Sequence, residues 1–244
     1  MPISLEGIFS SRSKPILAAI RTIGVAGAPL VDRSPATAVM PFVTISRQAG
    51  AGGITLAQRL VEHLNRRGPG EQTWTAWDRE LVQKVALDHH IDQSLVDALE
   101  DRGPTWIEEL LGGLRIAETP ETASEFRVYW KTAATIRAIA QVGRCVIVGR
   151  GGVFVTANLP GGIHVRLVAP LDFRIRNYAA IFNMPVADSE IRVKELDANR
   201  AAFYRRHWPR RPLTPESFTA TFNTAGIGER EVVEAVAAMI PRHQ

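Results

Sequence analysis

The chain has 244 residues, 45% of them hydrophobic and 22% charged, which suits one large domain or two small ones and excludes a wholly disordered chain. Its one cysteine, Cys145, excludes a disulfide framework and a cysteine-rich zinc site, and fits a reducing, cytoplasmic setting. The net charge of +4 is local: between Arg166 and Arg211 ten basic residues face five acidic ones, leaving +5 there and −1 elsewhere.

Residues 1–40 read as an extension outside the main domain, partly disordered, with a short helix near Ile16–Ile23. The apolar stretch Ile16–Val31 is interrupted by Arg21 and is too short and too broken for a membrane span. It also lacks the clean apolar block of a secretory signal.

From residue 41 to 244 the pattern is regular. Phe42-Val43-Thr44-Ile45 predicts a first strand, and Gly50, Gly52 and Gly53 follow in a loop. Leu56, Leu60 and Leu64, with Ala57 and Val61 beside them, predict an amphipathic helix. Thr73–Trp77 reads as a second strand, leading into a helix over Arg79–His89. Residues 92–141 read as helical, broken at Gly103-Pro104 and Thr119-Pro120 and closed by a long helix over Ala123–Gln141. Cys145–Val148 is a continuous apolar run, the pattern of a strand covered on both faces. Ile163–Ala169 and Phe218–Phe222 supply two further strands; helices over Leu171–Phe182, Asp188–Tyr204 and Glu229–Met239 fill the gaps. Strands alternating with helices imply an α/β three-layer sandwich around a five-stranded parallel sheet with right-handed crossovers.

The loop Ile45-Ser46-Arg47-Gln48-Ala49-Gly50-Ala51-Gly52-Gly53-Ile54-Thr55 joins strand to helix. Its glycines allow positive φ and close approach, and the helix start offers N–H groups to an anion; a plain packing turn uses the same residues. The strict phosphate-loop pattern G-x-x-x-x-G-K-[ST] fails, since Arg47 stands at the first glycine, Gly53 at the lysine and Ile54 at the hydroxyl position. Arg150 lies in a glycine-flanked turn past an apolar strand, where parallel sheets place ligands and a forked guanidinium suits phosphate or a base edge. Asp78, at the end of strand two, either contacts a nucleoside, orients an arginine or caps the following helix. The six histidines show no metal spacing, and the five tryptophans read as packing. The basic span alternates with acids and has no groove-reading motif, so nucleic acid is not the expected partner.

Read without gaps, the glycine loop resembles the start of cytidylate kinases, I-D-G-P-[ST]-G-[AS]-G-K-[GS]-[TS]. It is closer to the cytidylate kinase-like group, whose loop I-[ST]-R-x-x-G-[AS]-G-G lacks the lysine. Trp77-Asp78-Arg79-Glu80-Leu81 resembles that group's [YW]-D-[KR]-E-L, and Val148-Gly149-Arg150-Gly151-Gly152 its G-R-G segment, where cytidylate kinase has G-R-D. The run His164–Leu171 resembles "HVxxxAPL", and Lys194–Tyr204 the lid pattern D-x-x-R-x-x-[YF]-Y with Asp197 and Arg200. Ala220–Thr224 resembles the last strand, L-x-[LI]-[ND]-[ST].

The resemblance implies a phosphate-loop fold of the nucleoside monophosphate kinase type, with residues 92–141 as an acceptor-binding insertion and residues 186–212 as a lid. It implies transfer of the γ-phosphoryl of ATP to CMP or dCMP, aided by Mg²⁺ held through the nucleotide phosphates. Gly50, Ala51, Gly52, Gly53 and Thr55 would then face the donor phosphates, Thr55 either through its hydroxyl or merely as a first-turn residue. Arg200 and Arg150 would contact the transferring phosphoryl, with Asp78 and Arg150 on the acceptor. Arg205, Arg206, Arg210 and Arg211 surround the lid site without matching the motif firmly, and Arg192 lies eight residues before Arg200 on roughly the same helix side. Two departures stand out: the loop lysine is absent, and Gly151 replaces the aspartate of G-R-D. Arg47 is the residue expected to replace the lysine; otherwise the chain is a weak or inactive nucleotide-binding module of the same fold.

Overall fold

The computed structural model describes residues 39–66, 73–78, 82, 120–149 and 151–241, with side chains in the helix from Pro120 described from Val128 onward. The expected helices near Ile16–Ile23 and Arg79–His89, the segment 92–119 and Arg150 therefore lie outside the described residues, apart from Val82.

Five parallel strands form one sheet in the order β2-β3-β1-β4-β5. They are β1 (Phe42–Arg47), β2 (Thr75–Trp77), β3 (Cys145–Val148), β4 (Gly162–Val168) and β5 (Ala220–Asn223). The described helices are α1 (Gly53–Asn65), α2 (Pro120–Val142), α3 (Gly152–Val155), α4 (Leu171–Phe182), α5 (Val186–His207) and α6 (Glu229–Met239), with a 3₁₀ turn at Pro215–Ser217. That turn takes the residues just before β5, so the strand starts two residues later than Phe218.

The alternation of each strand sorts its side chains into two cores. Val43, Ile45, Val146, Val148, Ile163, Val165 and Leu167 pack against α1 and α6, meeting Leu56, Leu60, Leu64, Val232 and Val236. Phe42, Cys145 and Ile147 face the other way, onto α2 and α3 through Tyr129, Ile136, Ile139, Val153 and Phe154. Each fully buried aliphatic side chain contributes about 2 kcal/mol by leaving water. The three layers are thus α1/α6, sheet, and α2/α3.

β1 lies at the centre, paired with β3 in the register Val43 to Val146 and with β4 in the register Val43 to Ile163. β3 is buried along its whole length, as its unbroken apolar run predicts. β4 differs. Its buried residues Ile163, Val165 and Leu167 alternate with half-buried His164 and Arg166, so its second face is not sealed by apolar packing. Beneath the sheet end, the buried Arg137 of α2 donates to the carbonyl of Val155 at 2.9 Å and to Asn158 Oδ1 at 2.7 Å, fixing α3 against α2. Burial pushes the Cys145 thiol above its usual range, and its Sγ sits 3.5 Å from the Ile139 carbonyl, a structural rather than reactive thiol. No helix among the described residues is long and apolar enough to cross a membrane.

Candidate active site

β1 ends in the glycine loop, which turns directly into α1. Gly50 and Gly52 adopt φ of 76° and 83°, the left-handed region that glycine enters without a Cβ penalty. At Gly50 the need is also spatial, since a Cβ there would lie 2.2 Å from the carbonyl oxygen of Arg174. Gly52 caps α1 without a side-chain hydrogen bond, and the first turn carries no acidic residue. The N–H groups opening α1 therefore have no partner within the helix, and the helix dipole adds positive potential. Thr55 Oγ1 donates to the Gly52 carbonyl at 2.9 Å on the exposed side of this turn. Ala51 is buried in the α1/α6 core and serves packing through its side chain.

The loop is held from outside by α4 and α5. Arg174, 6% exposed, donates to the carbonyls of Ala169 and Ala49 at 2.9 and 3.1 Å and pairs with Asp197. Asn177 Nδ2 donates to the Gly50 carbonyl at 2.7 Å. From α5, Asp197 accepts the Ala49 N–H at 2.8 Å and pairs with Arg200 at 3.0 Å. The carbonyls of Ala49 and Gly50 are thus taken by α4, and the N–H groups of Gln48, Ala49 and Ala51 go to Leu167, Asp197 and Gln48, so the N–H groups opening α1 are those the turn offers to a ligand. Neither Arg174 nor Asn177 carries a motif signal; only the position of an arginine early in the helix after β4 hints at the first.

Arg47 packs against Gly53. Its aliphatic stem lies across that glycine, with Cδ 2.9 Å from where a Cβ of residue 53 would stand, so a side chain at position 53 would meet it. Gly151 is crowded as well. Its φ is 80°, and a Cβ would lie 2.4 Å from Trp208 Cη2 and 2.6 Å from Tyr129 Oη. The volume an aspartate side chain would need is filled by Trp208, the residue just after α5, and by Tyr129. The Gly151 N–H donates to Tyr204 Oη at 3.3 Å, so this turn and α5 are in direct contact.

Above the C-terminal ends of β1 and β3 opens a cleft of about 510 Å³, lined among the described residues by Ser46, Arg47, Gln48, Gly149 and, from α5 and its end, Asp197, Arg200, Tyr204, Arg205 and Trp208. Arg166 and Arg211 also line it, with Pro209, Pro212 and Leu213 on an apolar rim. The expected residues Arg47, Asp197, Arg200 and Arg205 are therefore brought together. Gly50, Ala51, Gly52, Gly53 and Thr55 do not line this cleft; they form the adjoining loop and helix start. Arg206 is exposed on α5 and is not a lining residue, and Arg192 pairs with Glu195 at 3.2 Å on the surface. Asp78 follows β2, its carbonyl accepts the Val82 N–H at 3.1 Å, and it does not line the cleft. Trp74, Trp77 and Trp208 are all buried, in keeping with packing, although Trp208 also forms cleft wall.

Two cleft residues carry no motif match: Arg166, which the sequence did not single out, and Arg211, expected near the site only as one of four neighbouring arginines. The guanidinium of Arg166 lies 5.4 Å from the Phe218 ring centre, and that of Arg211 5.1 Å from Phe154. For Arg166 the period-two alternation of β4 carries a readable signal, because it places the residue opposite Ile163, Val165 and Leu167. Among the described residues no group of three or more His, Cys, Asp or Glu side chains stands close enough to hold a metal ion.

A search of curated proteins finds no match. Among solved structures the chain is similar to an uncharacterized protein from Eubacterium ventriosum, with 16% identity, a TM-score of 0.61, and 82% of this chain and 98% of that one covered. A shikimate kinase from Bacteroides thetaiotaomicron aligns with 14% identity and a TM-score of 0.42, covering 82% of this chain and 95% of that one. A shikimate kinase from Acinetobacter baumannii in complex with shikimate aligns with 17% identity and a TM-score of 0.46, covering 82% and 93%. The sheet order, the loop between β1 and α1, and a family profile matching residues 42–226 agree: the chain belongs to the cytidylate kinase-like family.

Proposed function

We propose that this protein transfers the γ-phosphoryl group of ATP to a nucleoside monophosphate, with CMP or dCMP as the first acceptors to test. The observation that supports this reading is the Arg47 side chain laid over Gly53, the position of the lysine in cytidylate kinases, beside a helix N-terminus with no side-chain cap. Gly50, Gly52, Gly53 and Thr55 fit the donor phosphates through backbone N–H groups, with the loop carbonyls already turned away to Arg174 and Asn177. The chemistry breaks the bond from the γ-phosphorus to the bridging oxygen and forms one to an acceptor phosphate oxygen. Little covalent work falls to the protein; it must orient the two phosphates and offset their charge.

Arg200 fits that task from the lid, held by Asp197 and turned into the cleft. Arg47 approaches from the loop side, and Arg205 from the lid's last turn. Arg150 belongs to the same reading through its place in the G-R-G segment. A divalent cation such as Mg²⁺ would supply further charge neutralisation when bound. The donor set here fits one carried by phosphate oxygens, with the Thr55 hydroxyl as the nearest loop side chain able to join it.

The test is a coupled ADP-release assay with ATP, Mg²⁺ and a panel of nucleoside monophosphates. Turnover with CMP or dCMP above the ATPase background supports the reading. The second reading, a nucleotide-binding module without turnover, is favoured by Gly53 and Gly151 standing where cytidylate kinases have the lysine and the aspartate. Measurable ATP binding with no turnover on any acceptor would select it.

A further inference from the structure

Apolar exposure concentrates around the turn between α4 and α5. Ile181, Phe182, Val186 and Ile191 are each at least half exposed, and no other large hydrophobic side chain among the described residues is. Phe182 is braced by the ring of Tyr178, 4.4 Å away. Single exposed apolar residues are ordinary on a protein surface, whereas four around one turn mark a surface that another molecule covers.

α5 has two distinct sides. Ser189 and Val193 are buried, with Ser189 Oγ donating to the Ile175 carbonyl of α4 at 2.7 Å. Ile191 stands two residues from each of them, so the helical turn points it the opposite way. Ala198 and Ala202, one and two turns of the same stripe further on, share its exposed face and leave room for close approach.

The charges beside Ile191 identify the occupant. Glu190 and Lys194 stand on one flank of that face, Asp188 and Arg192 on the other, so each flank runs from acid to base along the chain. Two copies of this helix packed antiparallel about a twofold axis at Ile191 bring like flanks together with their direction reversed. Glu190 then lies beside Lys194 of the second copy and Asp188 beside Arg192 of the second copy, each contact made twice. An unlike partner of a single charge sign gains no such match. The pairs present within the helix, Lys194 with Glu190 at 2.6 Å and Arg192 with Glu195 at 3.2 Å, are exposed and weak, so their exchange costs little.

We propose that this face of the α4/α5 hairpin is a homodimer interface, with α5 packed antiparallel on α5 around Ile191 and each hairpin turn, carrying Ile181 and Phe182, over the other copy's Ala198 and Ala202. A helix face and a hairpin turn make a contact smaller than the roughly 800 Å² per partner of stable complexes, so the dimer is reversible, with a dissociation constant in the micromolar range. The interface lies on the same two helices that hold the glycine loop through Arg174, Asn177 and Asp197, and it stands whether or not the cleft turns over a nucleotide.

The experiment is sedimentation equilibrium of the full chain over a series of concentrations. The wild-type chain should pass from monomer to dimer as concentration rises. Glu190→Lys and Lys194→Glu each set like charges across the axis, and each alone should weaken the dimer about tenfold. Mixed in equal amounts the two variants are complementary again, and the mixture should dimerise to within about threefold of the wild type, which also shows that both are folded. Glu234→Lys, which breaks an exposed pair of the same kind on α6, should change nothing.

A wild-type chain that stays monomeric at every concentration would overturn the proposal and leave the face to an unlike partner. A dimer unchanged by either variant would overturn it by placing the contact on another surface. So would a mixture that associates no better than its two components, since charge matching across the axis would then be excluded.

Discussion

The carboxylate of Asp197 accepts the backbone N–H of Ala49 at 2.8 Å, joining the lid helix to the glycine loop across 148 positions of sequence. The same carboxylate pairs with the buried Arg174, which in turn donates to the Ala49 carbonyl. Lid, loop and α4 therefore share one polar junction, and the loop's shape depends on a residue of the lid. Asp197→Ala leaves Arg174, only 6% exposed, without its counter-ion. Half-exposure of the carboxylate side moderates the loss, and the expected destabilisation is about 2 kcal/mol. Urea unfolding checks it. Arg174→Met combined with Asp197→Ala should recover part of that loss; a single variant as stable as the wild type would show the junction to be incidental.

Arg47 and Gly53 compete for one space, which gives a reciprocal prediction. Arg47→Ala should lower ATP affinity and turnover about tenfold, since it removes a charge-assisted contact from the donor phosphates. Gly53→Lys alone should not improve either, because its Cβ would meet the Arg47 stem at 2.9 Å. Joined with Arg47→Gly, the lysine has room, and the double variant should regain affinity relative to Arg47→Gly alone. ATP titration of these four variants beside the wild type tests this. A Gly53→Lys chain that binds ATP better than the wild type with Arg47 present would show that the two sites do not exclude each other.

These relationships divide what was readable from sequence from what was not. The boundaries of α4 and α6 follow from apolar periodicity, and β3 from an unbroken apolar run, because those signals are local. The loop's glycines and the Asp197/Arg200 pair were visible as motif. The partners of Arg174 and Asn177 were not: their hydrogen bonds run to backbone carbonyls of Ala49 and Gly50, which no side-chain pattern encodes. The lost aspartate at Gly151 and the bulky Trp208 were each legible, but only folding brings them together. The division of the arginines likewise depends on which residues face the cleft.

Gly151 gives the third prediction. Introducing the aspartate of cytidylate kinases by Gly151→Asp should fail to improve activity, because even a Cβ meets Trp208 and Tyr129 and the backbone is left-handed. Gly151→Ala alone should cost about 2 kcal/mol from strain and overpacking. Thermal melting of the two variants measures it, and a Gly151→Ala protein melting with the wild type would refute the tight fit.

His207 supplies a pH dependence. It ends α5 with its ring 4.2 Å from that of Tyr129 and 4.5 Å from that of Phe203. Burial, aided by the charge of Arg206, pushes its imidazole down from 6.5 to about 4. Burial lowers His164 as well, where Nδ1 lies 2.8 Å from Thr44 Oγ1. Because the folded chain resists protonation that the unfolded chain accepts, acid favours unfolding. Stability is complete above the unfolded value of about 6.5, falls as the pH drops toward 4, and gains no further slope from His207 below that. Unfolding midpoints should therefore stay level from pH 8 to 7 and decline between about pH 6.5 and 4. His207→Phe keeps a ring among Tyr129, Phe203 and Trp208 while removing the proton site, so its decline should be shallower, the remaining slope coming from His164 and the carboxylates. The measurement is a set of urea midpoints for both proteins across that range. Parallel curves would mean that His207 titrates alike in both states, and that the lid's aromatic anchor is indifferent to acid.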